Sequence, residues 1–213
     1  MIANRFNPLG NILQKPYDAE IEYLESTMTQ YIDTGAVPTN TTEFELSCYY
    51  DNDVGYPTGE NIFGMRYLLG AQWRYSISNY KAINGCGYAA FGNNRRAQTT
   101  EIGIHEYIFS YKNGIFSNGH NISKSIDISN DVPPITPIPS SWSLWLFAGN
   151  FPNEDYMDGT KGKVYYLKIW DNGVLVRDFI PVRVGDVGYM FDRVSCKLFG
   201  NQGTGQFILG ADK

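Results

Sequence analysis

The sequence predicts an all-β chain folded as a sandwich or a barrel. Three observations carry this. Aromatics are 15% of the 213 residues, with 16 Tyr, 12 Phe and 4 Trp, and 22 Gly and 10 Pro punctuate the chain. Aromatic and β-branched runs between turn formers are what strands and their connections use. Apolar residues recur at period two in short runs, and no stretch sustains the 3.6 period of a helix. These runs form roughly a dozen short pieces between turn signals, the rhythm of sandwiches and barrels.

Residues 1–19 differ from the rest: two Pro, a Gly and three Asn among scattered apolar residues without a period. This reads as a short extended N-terminal arm whose Ile2, Phe6, Leu9, Ile12 and Leu13 favour docking on a partner or on the domain itself; residues 20–213 are then one domain. Segments 21–25 and 30–35 are strand-like. Thr42–Tyr50 alternates, with Phe44, Leu46 and Cys48 on one face and Glu43, Glu45 and Ser47 on the other, a half-buried strand. Residues 51–60 form a loop, and 61–69, 73–79 and 87–92 are further strands. Residues 99–122 read as a meander around Asn113-Gly114 and Asn118-Gly119, because both residue types tolerate the positive φ of tight hairpin turns. Four prolines in 129–141 forbid a central strand there and mark a long stiff loop. The last third is the most regular. Strands at 142–148 and 164–170 precede an Asp171-Asn172-Gly173 turn into 174–183, and 189–191, 197–199 and 207–209 follow.

Composition excludes several function classes. The net charge is −5, with 17 basic and 22 acidic residues, whereas a phosphate-driven nucleic-acid binder needs a basic footprint. His105 and His120 are the only histidines, so a His-rich zinc site cannot form in one chain, and neither lies near a serine or cysteine motif. Cys48, Cys86 and Cys196 are odd in number and far apart, which gives no disulfide framework and reads as three buried thiols of a reducing compartment. No apolar run is long enough to cross a membrane. The N-terminus lacks the apolar core and cleavage site of a secretory signal, so synthesis in a cytoplasm is expected. No Gly-rich phosphate loop precedes a helix.

The two ends of the domain carry a family resemblance. One end is Glu22-Tyr23-Leu24-Glu25-Ser26-Thr27-Met28-Thr29-Gln30-Tyr31-Ile32-Asp33-Thr34-Gly35. The other runs from Gly162-Lys163-Val164-Tyr165-Tyr166-Leu167-Lys168-Ile169-Trp170-Asp171-Asn172-Gly173 through Val187-Gly188-Tyr189-Met190-Phe191-Asp192 to Asn201-Gln202-Gly203-Thr204-Gly205-Gln206-Phe207. Over about residues 20–210 the chain resembles the laminin-G-like, concanavalin A-like lectin/glucanase domains of phage virion proteins and gut-bacterial surface proteins; 50–140 is the divergent part. The resemblance implies a two-sheet antiparallel jelly roll with the first and last blocks side by side. It implies no single activity, since such domains serve as lectins, glycosidases and structural modules, and function must come from the site.

Candidate chemistry is sparse. A retaining glucanase of this superfamily carries two carboxylates about 5 Å apart in a Glu-x-Asp-x-x-Glu strand. Glu20, Glu22 and Glu25 have that spacing, but they open the domain instead of occupying a central strand and read as surface acids, so no catalytic residue is assigned. Asp51, Asp53, Asp155 and Asp158 could supply a laminin-G-type calcium site; without fixed ligand spacing they read as solvated turn acids, and no cofactor is assigned. Tyr50, Tyr56, Trp73, Tyr75 and Tyr80 are the candidate glycan contacts, exposed aromatics being able to stack on sugar rings. Most other aromatics are needed as core between packed sheets. Lys163, Lys168, Arg177 and Arg183 read as outward or edge-protecting strand positions, with Arg177 and Asp178 a cross-sheet pair.

The leading expectation is a non-enzymatic structural virion protein: a capsid decoration, head-fibre or tail component in a multi-copy assembly, held to other virion proteins by its arm. The alternative is a carbohydrate-binding module adhering to host or mucosal glycans, and the third reading is a glycoside hydrolase.

Overall fold

A computed structural model describes residues 15–39, 41–50, 60–67, 73–80, 86–91, 95–99, 103–110, 115–118, 126–127, 142–151 and 158–213. Among them there is no helix. The strands in chain order are β1 (Ala19–Glu20), β2 (Leu24–Thr27), β3 (Ile32–Asp33), β4 (Thr42–Tyr50), β5 (Glu60–Tyr67), β6 (Trp73–Tyr80), β7 (Cys86–Phe91), β8 (Arg95–Thr99), β9 (Gly103–Ser110) and β10 (Ile115–Asn118). They continue with β11 (Ile126–Asp127), β12 (Trp145–Leu146), β13 (Ala148–Gly149), β14 (Asp158–Gly159), β15 (Lys161–Asp171), β16 (Val174–Val184), β17 (Val187–Asp192), β18 (Lys197–Phe199) and β19 (Ile208–Leu209).

Eleven strands form one sheet, whose main path runs β11-β10-β9-β4-β15-β16-β17-β18; six form a second, β3-β12-β5-β6-β7-β8, and β13 and β14 pair separately. The named strands pair antiparallel throughout. The sheets pack as a β-sandwich, the fold class expected. Phe44 of β4 meets Phe63 of β5 edge-to-face at 4.8 Å, and Phe147 meets Phe207 at 4.9 Å. The period-two reading of Thr42–Tyr50 holds: Phe44, Leu46 and Cys48 are buried in the core with Leu167, Ile169 and Phe179 from neighbouring strands.

Turn chemistry sets the register of the last third. Asn172 and Gly173 both have positive φ, 49° and 76°, and Asp171 pairs directly with Val174, a two-residue hairpin that an Asn-Gly pair adopts readily. Gly185, at φ 57°, starts the next turn, where Val184 pairs with Val187.

The ends of the domain lie side by side. β1 pairs with β16, while β2 lies between β15 and β19. Gln202 N donates to Tyr31 O at 2.8 Å and Thr204 N to Thr29 O at 3.0 Å. Residues 15–18 lead into β1 along the sheet: the Tyr17 ring packs on Phe191 at 5.0 Å, and Asp18 accepts from Gly185 N at 2.7 Å. Ile2, Phe6, Leu9, Ile12 and Leu13 lie outside the described residues.

Two side-chain expectations change. Cys48 is buried, and burial pushes its thiol well above the ordinary range, but Cys196 is exposed in the β17–β18 turn at φ 56°. Arg177 does not pair with Asp178. Its Nε donates to Thr34 O at 2.8 Å beside the second sheet, 3.8 Å from the fully buried Asp192, while Arg193 takes Asp178 through two 2.9 Å bonds.

Candidate functional site

The outer face of the large sheet carries a strip of aromatic and charged residues centred on β15. Val164, Leu167 and Ile169 of β15 point into the core. The spacing from Val164 to Leu167 is one residue too long for strict alternation, and the pairing with β4 shifts there: Val164 faces Cys48 and Tyr166 faces Ser47. Tyr165 is the extra residue of a β-bulge. Two consecutive tyrosines, both half-buried, therefore lie between inward positions. Further along, Lys168 and Trp170 are half-buried on the outward side, opposite Glu45 and Glu43 of β4.

At the other end of the strip, Lys163 sits in a row across three strands, opposite Glu25 of β2 and Tyr49 of β4. Its ammonium lies 4.2 Å from the Tyr23 ring centroid, 5.8 Å from that of Tyr49 and 3.8 Å from Glu25 Oε2. Burial alone would lower the Lys163 ammonium, but Glu25 and the Tyr23 phenol outweigh it, and it is held above its ordinary value. Tyr23 meets Tyr165 edge-on at 5.9 Å, and burial raises the Tyr165 phenol. Lys168 lies 3.4 Å from Glu45 and 5.3 Å from the Tyr166 ring. Chemically the strip sets half-buried aromatic rings beside carboxylate acceptors and ammonium donors.

The predicted contacts fall elsewhere in the fold. Tyr50 ends β4, opposite Gly162 and Gly103. Trp73, Tyr75 and Tyr80 share β6 of the second sheet: Trp73 opposite Tyr67, Tyr75 opposite Met65 and Phe91, and Tyr80 opposite Cys86. Tyr56 lies outside the described residues, as do Asp51, Asp53, Asp155 and His120. Asp158 begins β14 and His105 pairs with Cys48 on β9. No group of three or more His, Cys, Asp or Glu among the described residues is arranged to hold a metal.

The three glutamates with glucanase-like spacing do not share one strand. Glu20 ends β1 and accepts from Lys15 and Tyr17 at 2.9 Å each, Glu22 is exposed between strands, and Glu25 pairs with Lys163 from β2. Tyr23, Tyr49, Tyr165, Tyr166 and Trp170 were not singled out by the sequence reading. The signal was present in Val164-Tyr165-Tyr166-Leu167, where two tyrosines interrupt an otherwise alternating run.

No protein-family model and no curated protein matches the chain. In fold it is similar to the crystal structure of a "putative carbohydrate binding protein" from Bacteroides ovatus ATCC 8483, with a TM-score of 0.56 and 11% sequence identity. The match covers 91% of this chain and 61% of that one, so the chain spans less than two thirds of its neighbour's length. At this identity the likeness is one of fold.

Proposed function

We propose that the protein is a non-enzymatic carbohydrate-binding module that takes glycans on the outer face of its large sheet. The observation that carries the reading is the bulge at Tyr165, which sets Tyr165 and Tyr166 side by side between Lys163 and Trp170. A row of half-buried rings on a sheet held rigid by neighbouring strands is a surface on which pyranose rings stack. The ring positions are fixed before binding, so little side-chain entropy is lost when a ligand arrives. The fold shared with a protein described as carbohydrate binding supports the same reading. Against hydrolysis, Glu20 and Glu25 are each engaged by a lysine, a poor setting for an acid that must hold its proton near neutral pH.

The test is retention of the full chain by immobilised polysaccharides, compared between wild type and Trp170→Ala or Tyr166→Ala. Truncating a central ring is expected to weaken retention about tenfold or more, the scale of a truncated interface tryptophan, with little change in thermal midpoint. Unchanged retention in both variants moves the site away from β15. The virion expectation is a second reading, carried by the sequence resemblance.

A further inference from the structure

Two lysines of the strip each lie beside a glutamate, and this bears on which glycans it accepts. Lys163 faces Glu25 and Lys168 faces Glu45, with side-chain exposures of 28% and 18% in the first pair and 32% and 25% in the second. Each ammonium also lies against tyrosine rings, Lys163 over Tyr23 and Tyr49 and Lys168 over Tyr166. Asp178, opposite Lys168 on β16, is occupied by the two-pronged contact from Arg193. Neither lysine is therefore a free anion receptor. A sulfate or uronate that takes a remaining donor of either ammonium must sit beside the carboxylate of Glu25 or Glu45, and like charges repel. A hydroxyl meets no such cost: an ammonium has three donors and a carboxylate about four acceptor sites, so a pair that satisfies one contact retains capacity for others.

The length of the strip adds a second constraint. Lys163 and Trp170 are separated by seven strand steps, about 20 Å at a rise of ~3.3 Å per residue and allowing for the bulge. That is the reach of several sugars in an extended chain, more than one terminal residue occupies.

We propose that the strip selects uncharged, linear glycans and rejects anionic ones because its lysines are already neutralised by Glu25 and Glu45. This rests on the reading that the strip binds glycan. The experiment uses the full chain in affinity electrophoresis against neutral β-linked polysaccharides and against two anionic ones, a sulfated polysaccharide and a uronate polymer. Salt is raised from about 0.1 M to about 1 M, where the screening length falls from ~10 to ~3 Å.

Wild type is expected to be retarded by a neutral polymer, with less than about twofold change across that salt range, and not by the anionic ones. The Glu25→Gln/Glu45→Gln variant preserves side-chain shape and frees both ammonium groups; it is expected to gain retardation by the anionic polymers at low salt, about tenfold or more, and to lose it at high salt. Wild-type retardation by anionic polymers, released by salt, overturns the selectivity. A variant that gains no anion binding while wild type holds a neutral polymer overturns the charge-pairing cause and leaves the glycan reading standing. No retardation by any neutral polymer overturns the glycan reading and this inference with it.

Discussion

The side-chain amide of Gln30 donates to the Thr204 carbonyl at 3.1 Å, linking residues 174 positions apart. Gln30 is buried, and its oxygen accepts from Thr27 N at 2.8 Å, Ser26 Oγ at 3.1 Å and Thr27 Oγ1 at 3.2 Å, so one side chain satisfies the tight turn at Met28 and clamps the closing loop. Gln30→Ala removes the acceptor of the buried Ser26 hydroxyl and of the part-buried Thr27 N–H, and the donor to Thr204 O, at once. It is expected to cost about 2–3 kcal/mol, since an unsatisfied buried polar group costs ~1–3 kcal/mol. Urea denaturation monitored by tryptophan fluorescence checks this.

The same loop contact makes a glycine necessary. A Cβ on Gly203 would lie 1.9 Å from Thr29 O, where only backbone could yield, whereas a Cβ on Gly173 meets nothing within 4 Å. Gly173→Ala carries only the penalty of its positive φ, about 1–2 kcal/mol. Gly203→Ala is expected to cost more than Gly173→Ala and to loosen the 201–205 loop. Thermal midpoints of the two variants, with amide exchange at Thr204, are the comparison; equal midpoints refute the contact.

Deleting Tyr165 is expected to leave a folded protein. Without it, Val164, Tyr166 and Leu167 alternate strictly and face Cys48, Ser47 and Leu46 one for one, so the β4 register is kept. The cost is mainly the edge contact with Tyr23, about 1 kcal/mol. Circular dichroism should be unchanged while polysaccharide retention falls. Loss of the fold would mean that the bulge serves the sheet rather than the strip.

Much of the fold was legible in the sequence because local rules agree there. The alternation of Phe44, Leu46 and Cys48 and the Asn172-Gly173 hairpin follow from period-two geometry and positive-φ tolerance, which neighbouring residues alone decide. The site was less legible. Tyr23, Tyr49 and Tyr165 come from three separated segments, and only strand pairing brings them together. A bulge also looks like a flaw in alternation until its partner strand is known. Arg177 shows the same limit: sequence offers Asp178 as its neighbour, but consecutive residues on a strand face opposite ways, and the partners are Thr34 O and Asp192.

Arg177 bridges the two sheets, and a lysine should not replace it. Its Nε reaches Thr34 O while Nη1 donates to Val176 O at 2.7 Å, and the guanidinium lies 5.8 Å over Phe199. Asp192 beside it is fully buried and accepts from Asp178 N at 2.9 Å and Ser195 Oγ at 2.7 Å. A lysine has no planar fork to make these contacts together. Arg177→Lys is expected to destabilise by about 1–3 kcal/mol, the scale of hydrogen bonds to charged groups. Arg177→Ala should cost more, because it also removes the charge nearest to Asp192. Equal stability of wild type and Arg177→Lys in urea would rule out the fork as the inter-sheet tie.

Acid should loosen the ends of the domain first. Hydrogen bonds from Lys15 and then Tyr17 hold the Glu20 carboxyl below its ordinary 4.5, and the Arg183 fork, at 2.7 and 2.6 Å, holds Asp212 below its ordinary 3.8. A carboxyl with a depressed folded pKa adds stability that is present above its unfolded value and is lost as pH falls through the folded one. Glu20→Gln should therefore be less stable than wild type near pH 7, with the gap closing below pH 4.5. Both acids are well exposed, so the gap will be small and will shrink with salt. Thermal midpoints of wild type and Glu20→Gln across an acid series at two salt concentrations decide it. A gap that stays constant into acid would mean that Glu20 acts through packing and not through its charge.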